Sequence, residues 1–283
     1  MASMRDIKHR KESIQSTEQI TKAMKLVSTV KLQKSRTKAE NSKPYFDKMY
    51  ETISSMLAKS GNINHKYLKA GASTTKAVIS ITSNRGLAGG YNNNIIKLVN
   101  KELPAADTKV YAIGRKGRDG LARKGFEIAE DYSEVINEPV YQDAADLTAE
   151  LLDQFGQGKI GEIYLAYTSF KNTATHIPTL IKLLPIDREA QAGSDKPMAL
   201  MNYEPEEDEV LDAIIPKYMS SLIYGALLEA VASENGARMT AMDSATSNAE
   251  DMIDALSLQY NRARQGAITQ ELTEIIAGAN AIS

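Results

Sequence analysis

The chain has 283 residues, is 42% hydrophobic and 25% charged, contains no tryptophan, and carries a net charge of −2. This is the balance of a globular protein with a lean core, long enough for one or two domains. With no cysteine, a disulfide scaffold, thiolate catalysis, cysteine-held zinc and iron–sulfur clusters are excluded, and His9, His65 and His176 lie too far apart to show metal-ligand spacing.

No apolar run approaches the ~18–20 residues of a membrane span, so the chain is expected to be soluble. The N-terminus is basic but lacks the apolar core of a secretory signal. Asp6, Glu12 and Glu18 count against a mitochondrial leader, so a bacterial chain is the expectation.

From Ser3 to about Leu57 the apolar residues fall at helical spacing. Ile7 and Ile14 are seven apart, and Ile20, Ala23, Met24, Val27 and Val30 follow at three- and four-residue steps. Pro44 is expected to kink this helix rather than end it, because Tyr45, Phe46, Met49, Ile53 and Met56 resume the period. Gly61, Asn62 and Asn64 then close it. Residues 1–43 hold eleven Lys/Arg against four acids, a local charge of +7. Such a basic end suits an acidic partner, whether nucleic acid, anionic lipid or an acidic protein loop, unless it is simply a solvated face.

The middle third changes character. Ala77–Thr82 is a β-branched run, followed by the glycine-rich Asn84–Gly90 and a helix near Asn92–Leu103. Val110–Ile113 repeats the strand signal before Gly114, Gly117 and a basic helix reaching about Lys124. Asp143–Phe155 reads as a third helix with Asp143 as N-cap. Ile163–Tyr167 and Thr179–Leu184 are further strands. Alternating strands and helices predict βαβ units and a mainly parallel sheet.

Ala192–Glu206, with Gly193, Pro197 and Pro205, reads as a connection that includes an acidic stretch. Beyond it, Glu206 to Ile282 predicts one helix roughly 100 Å long at ~1.5 Å per residue, with a kink expected at Pro216. Ala245, Ala249, Met252, Leu256, Tyr260, Ala263 and Ala267 form a narrow stripe, the seam of a coiled coil rather than the face of a globular helix. The expected domains are therefore 1–60 (N-terminal coiled-coil helix), 75–190 (α/β domain) and 206–283 (C-terminal coiled-coil helix). The fold class is α/β: a long antiparallel two-helix coiled coil formed by the N- and C-terminal helices, with an inserted Rossmann-like α/β domain. The economical arrangement is a rod projecting from a globular base. The C-terminal helix exceeds its partner by roughly fifteen to twenty residues, about 25 Å. Its apolar Ile268, Leu272, Ile275 and Ile276 then need an enclosing partner.

The glycines of the central domain invite a phosphate-binding reading, since Gly86–Gly90 follows a strand and precedes a helix. The spacing fits neither G-x-G-x-x-G nor a Walker lysine motif, so a structural loop is favoured. Glu271 and Glu274 lie one turn apart without a histidine or metal-ligand companion. Solvated or paired carboxylates fit them better than a catalytic pair. The basic helix lacks the interleaved aromatics of a single-strand binder. No catalytic, cofactor-binding or metal residue is assigned.

Five blocks, in three regions of the chain, resemble one family. Ile20-Thr-Lys-Ala-Met-Lys-Leu-Val-Ser28, with Lys31-Leu32, is similar to the N-terminal helix of the gamma subunit of bacterial F-type ATP synthases. Thr82-Ser-Asn-Arg-Gly-Leu-Ala-Gly-Gly-Tyr-Asn92 resembles that family's first strand and loop. Ala237-Arg-Met-Thr-Ala-Met242, Tyr260-Asn-Arg-Ala-Arg-Gln265 and Ile268-Thr-Gln-Glu-Leu-Thr-Glu-Ile-Ile-Ala-Gly-Ala279 resemble its C-terminal helix, the last block being the most specific. The resemblance implies a central-stalk rotor. It would sit one copy per complex inside the alpha and beta ring, with the epsilon subunit and the membrane c ring at its foot. It would couple ion-driven rotation to ATP synthesis or hydrolysis without being an enzyme itself, peripheral on the cytoplasmic face of the cell membrane.

Carried onto this sequence, the resemblance implies ring contacts at Met24, Arg238, Arg264, Gln265, Thr269, Glu271 and Glu274, and c-ring contacts at Tyr203 and Glu204. The chain lacks the regulatory cysteine pair of chloroplast relatives. The alternatives are a nucleotide-binding α/β enzyme with helical extensions, and a non-catalytic coiled-coil scaffold or nucleic-acid-binding rod with an α/β base.

Overall fold

In a computed structural model of the chain, the described residues are 4–59, 65–69, 71, 73–173, 175–186 and 207–282. The expected stop at Gly61–Asn64 and the expected connection Ala192–Glu206 lie outside them. The elements are α1 Met4–Lys59, β1 Lys76–Ile81, α2 Tyr91–Glu102, β2 Thr108–Ile113, α3 Arg115–Ala122, β3 Glu127–Asp131, α4 Tyr141–Gly156, β4 Glu162–Phe170, β5 His176–Leu184 and α5 Glu207–Ile282. Contacts gather the chain into two units, residues 1–28 with 239–283, and residues 29–238.

The larger unit holds a five-stranded sheet in the order β3-β2-β1-β4-β5, with β5 alone antiparallel. Strands β1 and β2 read as continuous apolar runs because helices cover both faces of the sheet. Side-chain alternation sends Ala77, Ile79, Ile81, Tyr111, Ile113, Ile163 and Leu165 into a core with α4 and the first part of α5. Val78, Val110, Ala112 and Ala166 face the opposite core, with Ile95 and Val99 of α2 and Leu121 of α3.

Strand β3 was not expected from the sequence. Its Glu127-Ile-Ala-Glu-Asp131 segment is an edge strand, where charge deters pairing with another chain and hides the apolar signal. Asp143 is not the N-cap of α4. That position is Val140, and the Asp143 carboxylate accepts a hydrogen bond from the Val140 amide at 3.0 Å. The acid thus serves the helix start from its first turn. Helices α1 and α5 both continue through their prolines, Pro44 and Pro216. Within this unit Phe46 of α1 packs on Tyr224, ring centroids 6.2 Å apart. A Cβ at Gly225 would stand 3.1 Å from the Phe46 ring.

In the smaller unit α1 and α5 run antiparallel, with Thr21 Oγ1 and Thr246 Oγ1 at 2.8 Å and Lys25 paired to Asp243. Along α5 the inward positions are Met242, Thr246, Ala249, Ile253, Leu256, Tyr260 and Ala263. These alternate four- and three-residue steps, the signature of a heptad seam. Ala249, Leu256, Tyr260 and Ala263 are therefore where the sequence placed them, whereas Met252 and Ala267 point outward.

On α1 the correction is larger. Ile20, Ala23 and Val27, and Val30 in the neighbouring unit, are exposed, while Ile7, Thr21 and Ser28 are buried. Continuing the seven-residue step from Ile7 and Ile14 lands on Thr21 and Ser28, one row round from the larger apolar side chains. The polar seam is affordable because its hydroxyls are bonded: Thr21 to the Glu18 carbonyl, Ser28 to the Met24 carbonyl and Thr246 to the Met242 carbonyl.

Candidate functional site

The glycine-rich loop after β1 sits where α/β sheets commonly take a ligand, outside the carboxyl ends of two strands from which the chain departs in opposite directions. Its inner hydrogen bonds are self-contained. The Ser83 amide donates to Asn92 Oδ1 at 2.9 Å, the Ser83 hydroxyl to the Arg85 carbonyl at 2.6 Å, and Asn92 Nδ2 back to Ser83 Oγ at 2.8 Å. Asn84 Nδ2 donates to the Ser133 carbonyl, and its Oδ1 accepts from the Arg115 amide. The hydroxyl of Thr82 accepts from the Gly117 amide at 2.8 Å. Gly114, at φ +109, would place a Cβ 2.1 Å from the Thr82 carbonyl oxygen. These glycines serve the seating of α3 against the end of β1.

The adjoining space is filled by α5. The buried Tyr91 hydroxyl donates to the Ala230 carbonyl at 3.1 Å, and burial drives its pKa well above the phenol range. Ser233 donates to the Thr168 carbonyl at 3.1 Å, and Glu229 accepts from Ser169 and from the Phe170 amide. These bonds tie the loop and the ends of β1 and β4 to α2 and α5 within the larger unit.

Arg238 belongs to that packing. Its guanidinium donates to Glu234 at 2.7 Å and lies at 3.5 Å from the Gly86 carbonyl, with side chains only 11% and 15% exposed. Met24 is half-buried beside the two-helix seam, its carbonyl taken by Ser28.

The remaining sites expected on the C-terminal helix fall together. Beyond Ala263 every residue from Arg264 to Asn280 is exposed, which places Arg264, Gln265, Thr269, Glu271 and Glu274 on an open stretch of α5. Their bonds are local: Thr269 to the Gln265 carbonyl and Gln270 to Glu274. On the same stretch Ile268, Leu272, Ile275 and Ile276 are 49–63% exposed. Apolar side chains recurring at this spacing mark a contact face rather than a solvated one. Tyr203 and Glu204 lie outside the described residues.

Sequence reasoning missed Leu87. It holds φ +62, a left-handed conformation uncommon for a branched side chain, and stands exposed at the tip of the loop. Nothing in the local sequence distinguishes it from its neighbours. Among the described residues no group of acids and histidines is arranged to hold a metal, and no helix is long and apolar enough to cross a membrane.

Residues 3–282 match the family model described as ATP synthase. The chain is 67% identical, over the whole of both sequences, to the ATP synthase gamma chain of Lachnoclostridium phytofermentans. It is 41% identical to the sodium ion specific ATP synthase gamma chain of Acetobacterium woodii, over 99% of each. Among solved structures it resembles a chain of the central stalk and c ring of the Tetrahymena thermophila mitochondrial ATP synthase, with a TM-score of 0.58, 26% identity and coverage of 80% of this chain and 99% of that one.

Proposed function

The chain belongs to the ATP synthase gamma-chain family and is a central-stalk rotor subunit of an F-type ATP synthase, and from that premise we propose how its residues serve the complex. The single-helix end of α5 is enclosed by the ring of alternating alpha and beta subunits, which covers Ile268, Leu272, Ile275 and Ile276. Arg264, Gln265, Thr269, Glu271 and Glu274 meet that ring directly, as does Met24 on α1. Arg238 contributes from beneath the surface, by holding the loop around Gly86. Tyr203 and Glu204 meet the c ring, and the epsilon subunit binds alongside, with one copy of the chain per complex. The functional division follows residues 1–60, 75–190 and 206–283.

Ion flow turns the c ring and this chain with it, and the asymmetric shaft drives each beta subunit through its nucleotide-binding states in turn; hydrolysis runs the rotation backwards. The chain takes no catalytic part. It is held peripherally on the cytoplasmic face of a bacterial membrane. The observation that carries this reading is the unbroken exposure from Arg264 to Asn280 around an apolar stripe, a helix end that requires a surround. The +7 charge of residues 1–43 adds attraction toward acidic loops. At ~0.2–1 kcal/mol per exposed pair it creates no deep well to halt rotation.

The test is co-expression with the alpha and beta subunits of the same source. The expected product contains one copy of this chain per three alpha and three beta subunits, and a bead fixed to it turns during ATP hydrolysis. A hexamer that purifies without the chain, or a bead that stays still while ATP is consumed, would overturn the proposal.

A further inference from the structure

Two neighbouring rows of α5 face two different strands. Glu229, Ser233 and Gly236 lie in one row, at helical steps of four and three, and Ala230, Glu234 and Arg238 lie in the next. The first row meets the end of β4 and the start of β5. One oxygen of Glu229 accepts from the Ser169 hydroxyl at 2.9 Å and from the Phe170 amide at 3.2 Å. Ser233 donates to the buried Thr168 carbonyl, and a Cβ at Gly236 would come within 2.8 Å of His176 Nε2. The second row meets the region after β1, through Tyr91 to the Ala230 carbonyl and Arg238 toward the Gly86 carbonyl. Strands β1 and β4 are adjacent in the sheet, so α5 is tied from both sides of one cleft.

Apolar packing is non-directional and resists sliding or rolling of a helix weakly. Hydrogen bonds to strand ends fix both angle and register, and those to a charged carboxylate are the stronger kind. Glu229 combines the two properties. Burial, with the Glu229 charge adding to it, pushes the neighbouring Tyr167 phenol up to about 12.

We propose that Glu229, supported by Ser233 and Tyr91, is the torque joint of this subunit, locking α5 to the ends of β1 and β4 so that a twist applied to the sheet is delivered along the helix. The inference rests on the central-stalk role proposed above. Glu229 is a positioning residue. Its bonds to Ser169 and Phe170 lie within this chain, and it makes the sheet and α5 move as one body.

Because the chain has no cysteine, a single Lys101→Cys on α2 gives a bead one attachment point on the sheet-bearing unit. The alpha–beta complex carrying this chain is fixed by its hexamer, and the angular variance of the bead is recorded during the pauses of ATP-driven rotation. Removing one of the two sets of ties is expected to soften the joint and raise that variance roughly twofold in Glu229→Ala. ATP turnover without load is expected to stay at the parent level, and Glu229→Gln to fall between, since its amide oxygen still accepts. Should Glu229→Ala yield no complex, Tyr91→Phe, which deletes one hydroxyl, makes the same measurement. Variance equal to the parent in Glu229→Ala, or in Tyr91→Phe where that variant stands in for it, would overturn the joint and leave the rotor reading intact. A parent bead that does not rotate would overturn the rotor reading first, and the joint with it.

Discussion

Thr21 and Thr246 meet hydroxyl to hydroxyl at 2.8 Å between α1 and α5, both buried, and each hydroxyl also lies within bonding distance of a carbonyl of its own helix. A polar pair in a coiled-coil seam fixes register at some cost to stability. Replacing either threonine with valine removes one partner and is expected to destabilise the chain by about 0.5–1.5 kcal/mol. Replacing both gives an apolar pair of the same shape, and the double variant is expected to fall short of the summed single losses by about 1 kcal/mol. Urea unfolding of the four chains measures the cycle. Strict additivity would show that the two hydroxyls do not depend on each other.

Gly114 and Gly125 separate two reasons for glycine. Both hold a positive φ, +109 and +87, but a Cβ at Gly114 would collide with the Thr82 carbonyl at 2.1 Å whereas at Gly125 it would meet nothing within 4 Å. Gly125→Ala is expected to cost only the backbone term, about 1–2 kcal/mol. Gly114→Ala adds displacement of β1 from α3, beyond about 4 kcal/mol, enough to deplete soluble protein. Comparable melting temperatures for the two variants would contradict this account of the loop.

His176 opens β5 with Nε2 shut from solvent and without a hydrogen-bond partner among the described residues, and burial lowers its pKa below the usual 6.5. The folded chain therefore favours the neutral ring, while the unfolded chain takes up a proton near pH 6.5. The stabilisation is fully present above that value, declines as pH falls toward the lowered folded value, and changes no further below it. Between pH 7.5 and 5.5 the wild-type chain is expected to lose a few tenths to about 1 kcal/mol more than His176→Phe, which keeps a ring beside Phe170 and carries no titrating group. Parallel pH slopes for the two chains would exclude His176 as the source.

The parts of the fold legible in sequence are those where one physical requirement dominates a segment. Ala77–Ile81 and Val110–Ile113 announce buried strands because helices cover both faces, and the continuous apolar run follows. The α1 seam was misjudged because size of side chain and seven-residue spacing disagree there: Ile20 and Val27 look like core, yet the period set by Ile7 and Ile14 selects Thr21 and Ser28. Arg238 shows a different limit. Its placement depends on a carbonyl 152 residues away in the chain, and no local pattern records that neighbour. Met24 and the Arg264–Glu274 group were singled out only through family resemblance, since a helix surface that would meet a partner looks in sequence like any other solvated surface.

Ending the chain after Gln265 tests what the exposed helix end is for. The removed residues are exposed from Gly266 to Asn280, so the shortened protein is expected to unfold close to the temperature of the full one. Within the complex the outcome is expected to differ, because in the proposed arrangement Ile268, Leu272, Ile275 and Ile276 lose the ring that would cover them. Full burial of such side chains contributes roughly 1.5–3 kcal/mol each. Half-exposed residues in a turning bearing realise a fraction of that, so about 2–4 kcal/mol of association energy is expected to vanish in total. That corresponds to a loss of alpha–beta complex affinity of roughly thirty- to a thousandfold, or faster dissociation of the stalk on dilution. Dissociation is followed by size-exclusion chromatography of the assembled complex at decreasing concentration, with calorimetry of the free chain as control. A truncated chain that melts early would assign the helix end to internal stability. One that melts normally and stays bound as tightly as the full chain would place the bearing contacts elsewhere, on the exposed face of α1 around Ile20, Val27 and Val30.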